Sequence, residues 1–157
     1  MTVDMSKVVP LTELVGEDAG ETKELDALVR RAGEFISSFD WCAGVKELYS
    51  GIAVPGVIGI FLVRIIPGRA DVDEQLWVIV GDVPPAYLVT DEASNPAEAL
   101  VLYVDLMREW VNAVNEGRPV TELMPVNAAP TKEAAAMLDS RLRFLSERVL
   151  PEYADEA

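Results

Sequence analysis

The acidic side chains of one short segment are the first groups in this sequence that could do chemistry. Asp71, Asp73 and Glu74 fall within four consecutive positions, and clustered carboxylates suit hard cations such as Mg²⁺ or Ca²⁺. The spacing begins like a calcium-binding loop, but Leu76 stands where that loop needs glycine and Asp82 stands where it needs glutamate. We therefore interpret the segment as a solvated acidic loop and expect no metal site there.

A second candidate is Asp82, which stands in a turn between two apolar runs. Pro84 and Pro85 follow it closely, and proline restricts the backbone enough to hold a neighbouring side chain in place. The competing interpretation, which we favour, is a stiff hairpin in which Asp82 only caps a backbone amide.

The same turn lies within a motif. Trp77 to Tyr87 reads W-V-I-x-G-D-x-P-x-x-Y, and Pro96 to Leu100 reads P-x-E-A-L. Over roughly residues 75–110 this pattern resembles a small bacterial domain family of unknown function. The resemblance implies a bacterial protein with a compact α+β domain, and it assigns neither an activity nor a catalytic residue.

The sequence contains no histidine and a single cysteine, Cys42. The absence of imidazole excludes Ser-His-Asp triads, histidine acid–base catalysis and histidine-ligated zinc. A lone cysteine excludes an intrachain disulfide and a four-thiolate metal site. Cys42 stands beside Trp41 at the start of an apolar region, so we expect a buried structural cysteine. We expect no cofactor and no enzymatic activity.

The charge balance is strongly acidic, with 27 Asp and Glu against 13 Lys and Arg and a formal net charge of −14. The excess is concentrated in residues 71–117, which hold ten acids and one base, Arg108. Such a surface disfavours nucleic acids and anionic membranes. It favours a basic protein partner, although acidic surfaces also serve solubility alone.

The hairpin topology predicts where the acids of this region lie. If the strands on either side of Asp82 pair, Asp91 and Glu92 fall near the segment that holds Asp71, Asp73 and Glu74, while Asp82 marks the opposite end. We predict that these six residues bind the partner. A scattered set of solvated acids is the alternative.

Periodicity and turn residues predict an α+β fold. Strands are expected at roughly residues 45–50, 57–66, 76–80 and 86–89, and helices at roughly 22–37, 96–116 and 131–149. The short connections between strands require antiparallel neighbours, and strands followed by helices are typical of the α+β class. Apart from Arg64, the strand at 57–66 is apolar on both faces, which predicts a central strand covered on both sides for most of its length.

The helix and strand boundaries follow from local signals. Thr22 is expected to cap the first helix, a turn is expected at residues 51–56, and Pro151 is expected to end the third helix. The strongest signal is the Asn95-Pro96-Ala97-Glu98 start of the second helix, with Gly117 at its end. Its helical periodicity predicts a buried apolar row that consists of Ala97, Leu100, Val101, Val104, Met107, Val111 and Val114.

The length of 157 residues fits a single domain, of which residues 1–20 could form an extended N-terminal arm. The most apolar stretch, residues 52–66, contains Arg64 and is shorter than the ~20 residues that a membrane-spanning helix needs. The N-terminus shows no basic region followed by an apolar run. We therefore expect a cytoplasmic protein.

Three functional hypotheses remain, and we favour the first. It is a non-enzymatic module that docks a basic partner, as inhibitors, immunity proteins and antitoxins do. The second is an oligomeric scaffold, whose third helix would pair with another subunit through Met137, Leu142, Leu145, Arg141, Arg143 and Arg148. The third is a carboxylate-only enzyme or metal-dependent binder that would use Asp71, Asp73, Asp82, Asp91 or Glu92.

Overall fold

The computed structural model describes residues 3–11, 16–126 and 128–153. A five-stranded antiparallel sheet runs in chain order, so the predicted α+β class is confirmed with one strand more than expected. Its strands are β1 (Val9–Pro10), β2 (Cys42–Val54), β3 (Ile58–Pro67), β4 (Gln75–Gly81) and β5 (Ala86–Val89). The helices are α1 (Ala19–Ser37), α2 (Pro96–Glu116), α3 (Lys132–Phe144) and α4 (Leu150–Tyr153). None of the helices in these ranges combines the length and the apolar character that a membrane-spanning helix requires.

The central strand β3 sends alternate side chains into two separate cores. Phe61, Val63 and Ile65 pack with the buried face of α1. Ile60 and Leu62 pack on the other side of the sheet with α2 and α3. Full burial of one aliphatic or phenyl side chain stabilises the folded protein by about 1.5–3 kcal/mol. Because alternate side chains of β3 point to opposite faces of the sheet, a helical layer on each face is needed to bury this strand. The prediction of a strand covered on both sides is confirmed.

Helix α2 has the bounds and the caps that its sequence predicts. The Asn95 side chain accepts a hydrogen bond from the Glu98 amide at 2.9 Å, and the Glu98 carboxylate accepts one from the Ser94 amide at 3.0 Å. At the other end Gly117 adopts the left-handed conformation, with φ of 71°. These contacts satisfy backbone groups that a helix end otherwise leaves unpaired.

Helix α1 begins one turn earlier than predicted. Its N-cap is Asp18, whose carboxylate accepts a hydrogen bond from the Glu21 amide at 2.8 Å. The hydroxyl of Thr22 donates to the Asp18 carbonyl instead, at 3.0 Å. The assignment of Thr22 as the cap was wrong because the preceding aspartate supplies an equally good cap one turn upstream.

Strand β2 is longer than predicted, and the turn expected at residues 51–56 is confined to the segment between β2 and β3. Gly51 lies inside the strand at a shift of register between Ser50 and Ile52. A Cβ atom at Gly51 would lie 2.5 Å from Cγ of Pro96. This glycine is therefore required by the close packing of α2 on the sheet, and it does not form a turn.

The predicted end of the third helix at Pro151 was also wrong. A π-helical segment, Leu145–Val149, joins α3 to α4, and the helix continues through Pro151 to Tyr153. Within the π segment the amide of Leu150 donates to the carbonyl of Leu145, five residues back. Proline removes an amide donor and clashes with the carbonyl four residues earlier. The wider π turn relieves this conflict, so the chain stays helical.

The described part of the N-terminal arm packs on the domain. Val3 and Val8 are buried in the core that contains α2, and the Asp4 amide donates to the Ser94 carbonyl at 2.8 Å. Val9 pairs with Ser50 of β2. Residues 1–2 and 12–15 of the predicted arm lie outside the described residues.

We predict that Gly81→Ala lowers the free energy of unfolding by at least about 2 kcal/mol. Gly81 has φ of 139°, and an added Cβ would clash with the Val57 carbonyl oxygen. The matched control is Gly33→Ala in α1, where nothing lies within 4 Å of the new Cβ. Because alanine has the higher helix propensity, this variant should have a free energy of unfolding about 0.5–1 kcal/mol above that of the native protein. Urea denaturation measures both variants. Equal stability of the two variants would contradict the role assigned to Gly81.

Candidate functional site

The hairpin of β4 and β5 places the six predicted site residues at two ends of the sheet. Leu76 pairs with Val89, so residues 71–74 and 91–92 leave the hairpin at the same end, while Asp82 lies in the turn at the opposite end. All six side chains are exposed. The backbone geometry on which the prediction relied is therefore present, but Asp82 is separate from the other five residues.

The acids of the 71–74 segment are partly neutralised by neighbouring bases. Asp71 lies 3.9 Å from Arg69 and Glu74 lies 3.4 Å from Lys46. Exposed ion pairs of this kind contribute about 0–1 kcal/mol each. Throughout the described ranges no three side chains of metal-ligating type come together. This end of the sheet is a solvated, partly paired surface.

Glu92 belongs to a groove along α2, which we call the α2 groove. Its volume is about 420 Å³. An apolar floor and an acidic rim define it: the floor contains Ala97, Val101, Leu102 and Leu150, and the rim contains Glu92, Glu98 and Asp105. Leu150 comes from the far end of the chain, so sequence inspection could not assign it to this site.

The acids of α2 form a single exposed stripe beside this groove. Glu98, Asp105, Glu109 and Glu116 are spaced by seven, four and seven residues, and all four are exposed. Those spacings place them on one helix face. From Glu98 to Glu116 the stripe is about 27 Å long at a rise of 1.5 Å per residue. We call these four residues the acidic stripe.

Val101 connects the acidic stripe to the apolar floor. Sequence periodicity placed it among the core residues of α2, but 44% of its surface is exposed. That interpretation was wrong because Val101 lies between the buried row of the helix and Asp105, four residues on. The signal available in the sequence was its spacing from Glu98 and Asp105, the two acids that flank it.

The carboxylates beside the groove differ in whether they already have hydrogen-bond donors or ion-pair partners within the chain. Glu98 accepts hydrogen bonds from Ser94 and Asn95, and Glu116 accepts one from Arg118 at 3.0 Å. In the described part of the chain no ion pair is formed by Glu92, Asp105 or Glu109. The middle of the stripe therefore carries the charge that a partner can meet.

Asp82, at the other end of the sheet, binds a distant base. Its carboxylate accepts a hydrogen bond from Nε of Arg141 on α3 at 3.1 Å, and its amide donates to the Val57 carbonyl at 2.9 Å. The interpretation of Asp82 as a local amide cap was wrong. Because Arg141 lies 59 residues along the chain, no local pattern could predict the pair.

The residues of the W-V-I-x-G-D-x-P-x-x-Y motif have structural roles. The Trp77 indole donates to the Ala93 carbonyl at 2.9 Å, and the Tyr103 hydroxyl donates to the Pro84 carbonyl at 2.6 Å. Tyr87 packs against Phe39 and Trp41, each with ring centroids 5.1 Å away. The motif therefore fixes the hairpin to α2 and to the segment after α1.

The outward face of α3 differs from the one expected for an oligomer. Leu142 and Leu145 are buried. Arg141 binds Asp82, and Arg143 binds Asp139 at 3.0 Å. Met137 is the one apolar residue of the predicted set that is exposed, at 58%; Phe144, which the sequence analysis did not single out, is exposed at 46%.

Comparison with known proteins finds no match to this chain among protein-family models, curated proteins or solved structures. The resemblance of the motif to a bacterial domain family therefore stays a prediction. Function has to be inferred from the geometry of the chain itself.

We predict that Tyr103→Phe lowers the free energy of unfolding by about 1–3 kcal/mol at neutral pH, since the Pro84 carbonyl loses its buried donor. Burial raises the pKa of Tyr103 above its ordinary value of 10.0, so folding favours the neutral phenol. Stability from this group is fully present below pH 10.0 and is lost as pH rises further.

The Tyr103→Phe variant should accordingly lose less stability than the native protein in alkaline solution. Urea denaturation at a series of pH values measures the difference. An identical alkaline loss in both proteins would show that Tyr103 does not ionise on unfolding.

Proposed function

We propose that this protein is a non-enzymatic binding module that docks a basic segment of a partner protein along the acidic stripe and the α2 groove. The observation that carries the proposal is the alignment of all four acids of α2 on one exposed face, beside a groove with an apolar floor. An inhibitor, immunity or antitoxin-like protein would use the same chemistry.

The energetics of α2 support a role for the stripe beyond folding. Glu116 stands in the last turn of the helix, where the helix dipole disfavours a negative charge. Asp105 and Glu109 are four residues apart, a spacing at which like charges repel by about 0.2–0.5 kcal/mol. Neither feature stabilises the helix. Arg118 already offsets the charge of Glu116, whereas a cationic partner would relieve the repulsion between Asp105 and Glu109.

The chemistry of the groove specifies what kind of side chain it receives. Carboxylates at the rim pair with a cationic head group, and the floor of Val101, Leu102 and Leu150 packs against aliphatic carbon. Lysine and arginine combine these two properties in one side chain. A helix with basic residues three and four positions apart would present several of them along the stripe.

The net charge of −14 acts at longer range. A surplus of one sign accelerates encounter with an oppositely charged partner, and added salt screens that attraction. Binding should therefore weaken with salt, mainly through slower association.

We propose a cytoplasmic location on the basis of cysteine chemistry. Cys42 is a free, buried thiol, as the sequence analysis predicted. Proteins of reducing compartments use cysteine in this way, whereas secreted domains commonly use it in disulfides.

We predict that Asp105→Lys weakens binding of a synthetic helical peptide of lysine and leucine by at least about tenfold, a change of 1.4 kcal/mol, because it places a like charge at the rim. The matched control is Asp26→Lys, which makes the same charge change at an exposed position of α1 on the opposite face of the sheet. Fluorescence anisotropy of the labelled peptide measures both affinities.

The comparison separates docking at the groove from general attraction between opposite charges. Asp26→Lys should change the affinity by no more than about twofold, since exposed charges beyond a Debye length of about 8 Å are largely screened. Equal losses in the two variants would mean that the peptide responds only to net charge, and the proposed site would then be wrong.

A further inference from the structure

The outward face of α3 carries the two most exposed of the large apolar side chains in the described residues. Met137 is 58% exposed and Phe144 is 46% exposed. They are seven residues apart and Arg141 lies between them, so the three side chains share one helix face. Two large apolar groups on one face are the kind of exposed feature that marks an interaction surface.

A groove lies beside Met137 on this face. It has a volume of about 380 Å³ and lies between α3 and the turn that joins β4 to β5. Its lining is mainly apolar and includes Val83, Pro84, Pro85, Val126, Ala134 and Leu138. An apolar cavity of about 150 Å³ is enough to hold benzene, so this groove has room for a phenyl ring.

Phe144 lies on the other side of the Asp82–Arg141 pair from this groove. It lines a separate depression with Ser140 and Leu145, and Asp82 and Arg141 border both depressions. The chain therefore carries an apolar projection and an apolar recess on opposite sides of one central ion pair. A twofold axis through that pair would bring the projection of each chain to the recess of the other.

We propose that a second copy of this chain docks on the α3 face, with Phe144 of each copy inserted in the groove beside Met137 of the other. The Asp82–Arg141 pair lies near the symmetry axis. This interface uses different residues from the acidic stripe, so the proposal does not depend on the proposed function.

The charge distribution favours a second copy as the occupant. From Lys132 to Val149 the chain carries four bases and three acids, a net charge of +1, whereas α2 carries four acids and one base and the whole chain is at −14. Two copies repel each other through most of their surfaces. The near-neutral α3 face is where two apolar patches can meet with least repulsion, and it offers little attraction to a strongly charged partner of either sign.

Sedimentation velocity of the full chain over a wide range of concentration tests this proposal. The native protein should show a mass that rises with concentration toward that of two chains. Phe144→Arg should weaken the dimer by at least about 30-fold, as loss of a buried aromatic anchor does. The matched control is Val101→Arg, which replaces another exposed apolar helix residue, at 44% exposure, and should dimerise like the native protein.

Salt separates this proposal from the proposed function. Added salt screens the repulsion between two acidic chains and should strengthen the dimer, whereas it should weaken binding of the basic peptide. Dimerisation can thus fail while peptide binding persists, and the reverse also holds.

Three results would overturn the proposal: a single-chain mass of the native protein at the highest concentration, a Phe144→Arg variant that dimerises normally, or an equal loss in Val101→Arg. Circular dichroism checks that each variant is folded. If Phe144→Arg does not fold, Met137→Arg on the same face replaces it, and normal dimerisation of that variant would equally contradict the interface.

Discussion

Burial of β3 on both faces is the constraint on which the rest of this structure depends. Phe61, Val63 and Ile65 require a helix on one side of the sheet, and Ile60 and Leu62 require helices on the other. Since α2 must turn its apolar row inward to meet that need, its remaining face is fixed toward solvent. The orientation of the acidic stripe is thus a consequence of how the core is filled.

The hairpin of β4 and β5 connects the packed sheet to the residues at its two ends. Trp77 is bonded to the Ala93 carbonyl, and the Pro84 carbonyl is bonded to Tyr103 of α2. These contacts hold one end of the hairpin against the segment that precedes α2 and the other end against α2 itself. The α2 groove and the Asp82 turn are consequently linked through the same hairpin, although they lie at different ends of the sheet.

The features that sequence predicted well are those set by local chemistry. The bounds of α2 follow from its caps, and the double burial of β3 follows from its apolar run, which only Arg64 interrupts. Two of the misassigned features depend on residues that are distant in the chain. Gly51 was taken for a turn because its contact with Pro96 is invisible locally, and the partner of Asp82 could not be found for the same reason.

The candidate site was predictable only in part. The excess of acid between residues 71 and 117 is plain in the composition, but which acids border apolar surface depends on the rotation of α2. The assignment of Val101 to the core shows how sensitive that rotation is, since the residue lies at the margin of the buried row. The floor of the groove also needs Leu150, which only the tertiary fold brings to α2.

The π segment at Leu145–Val149 has a consequence for how the chain end meets α2. One additional residue in a helical turn advances every later side chain by about 100° around the axis. The π segment therefore determines the direction in which Leu150 points from the helix axis. In an uninterrupted α-helix a different residue would point in that direction. Removal of a single residue from the segment would rotate the terminal turn and take the leucine out of register with Val101.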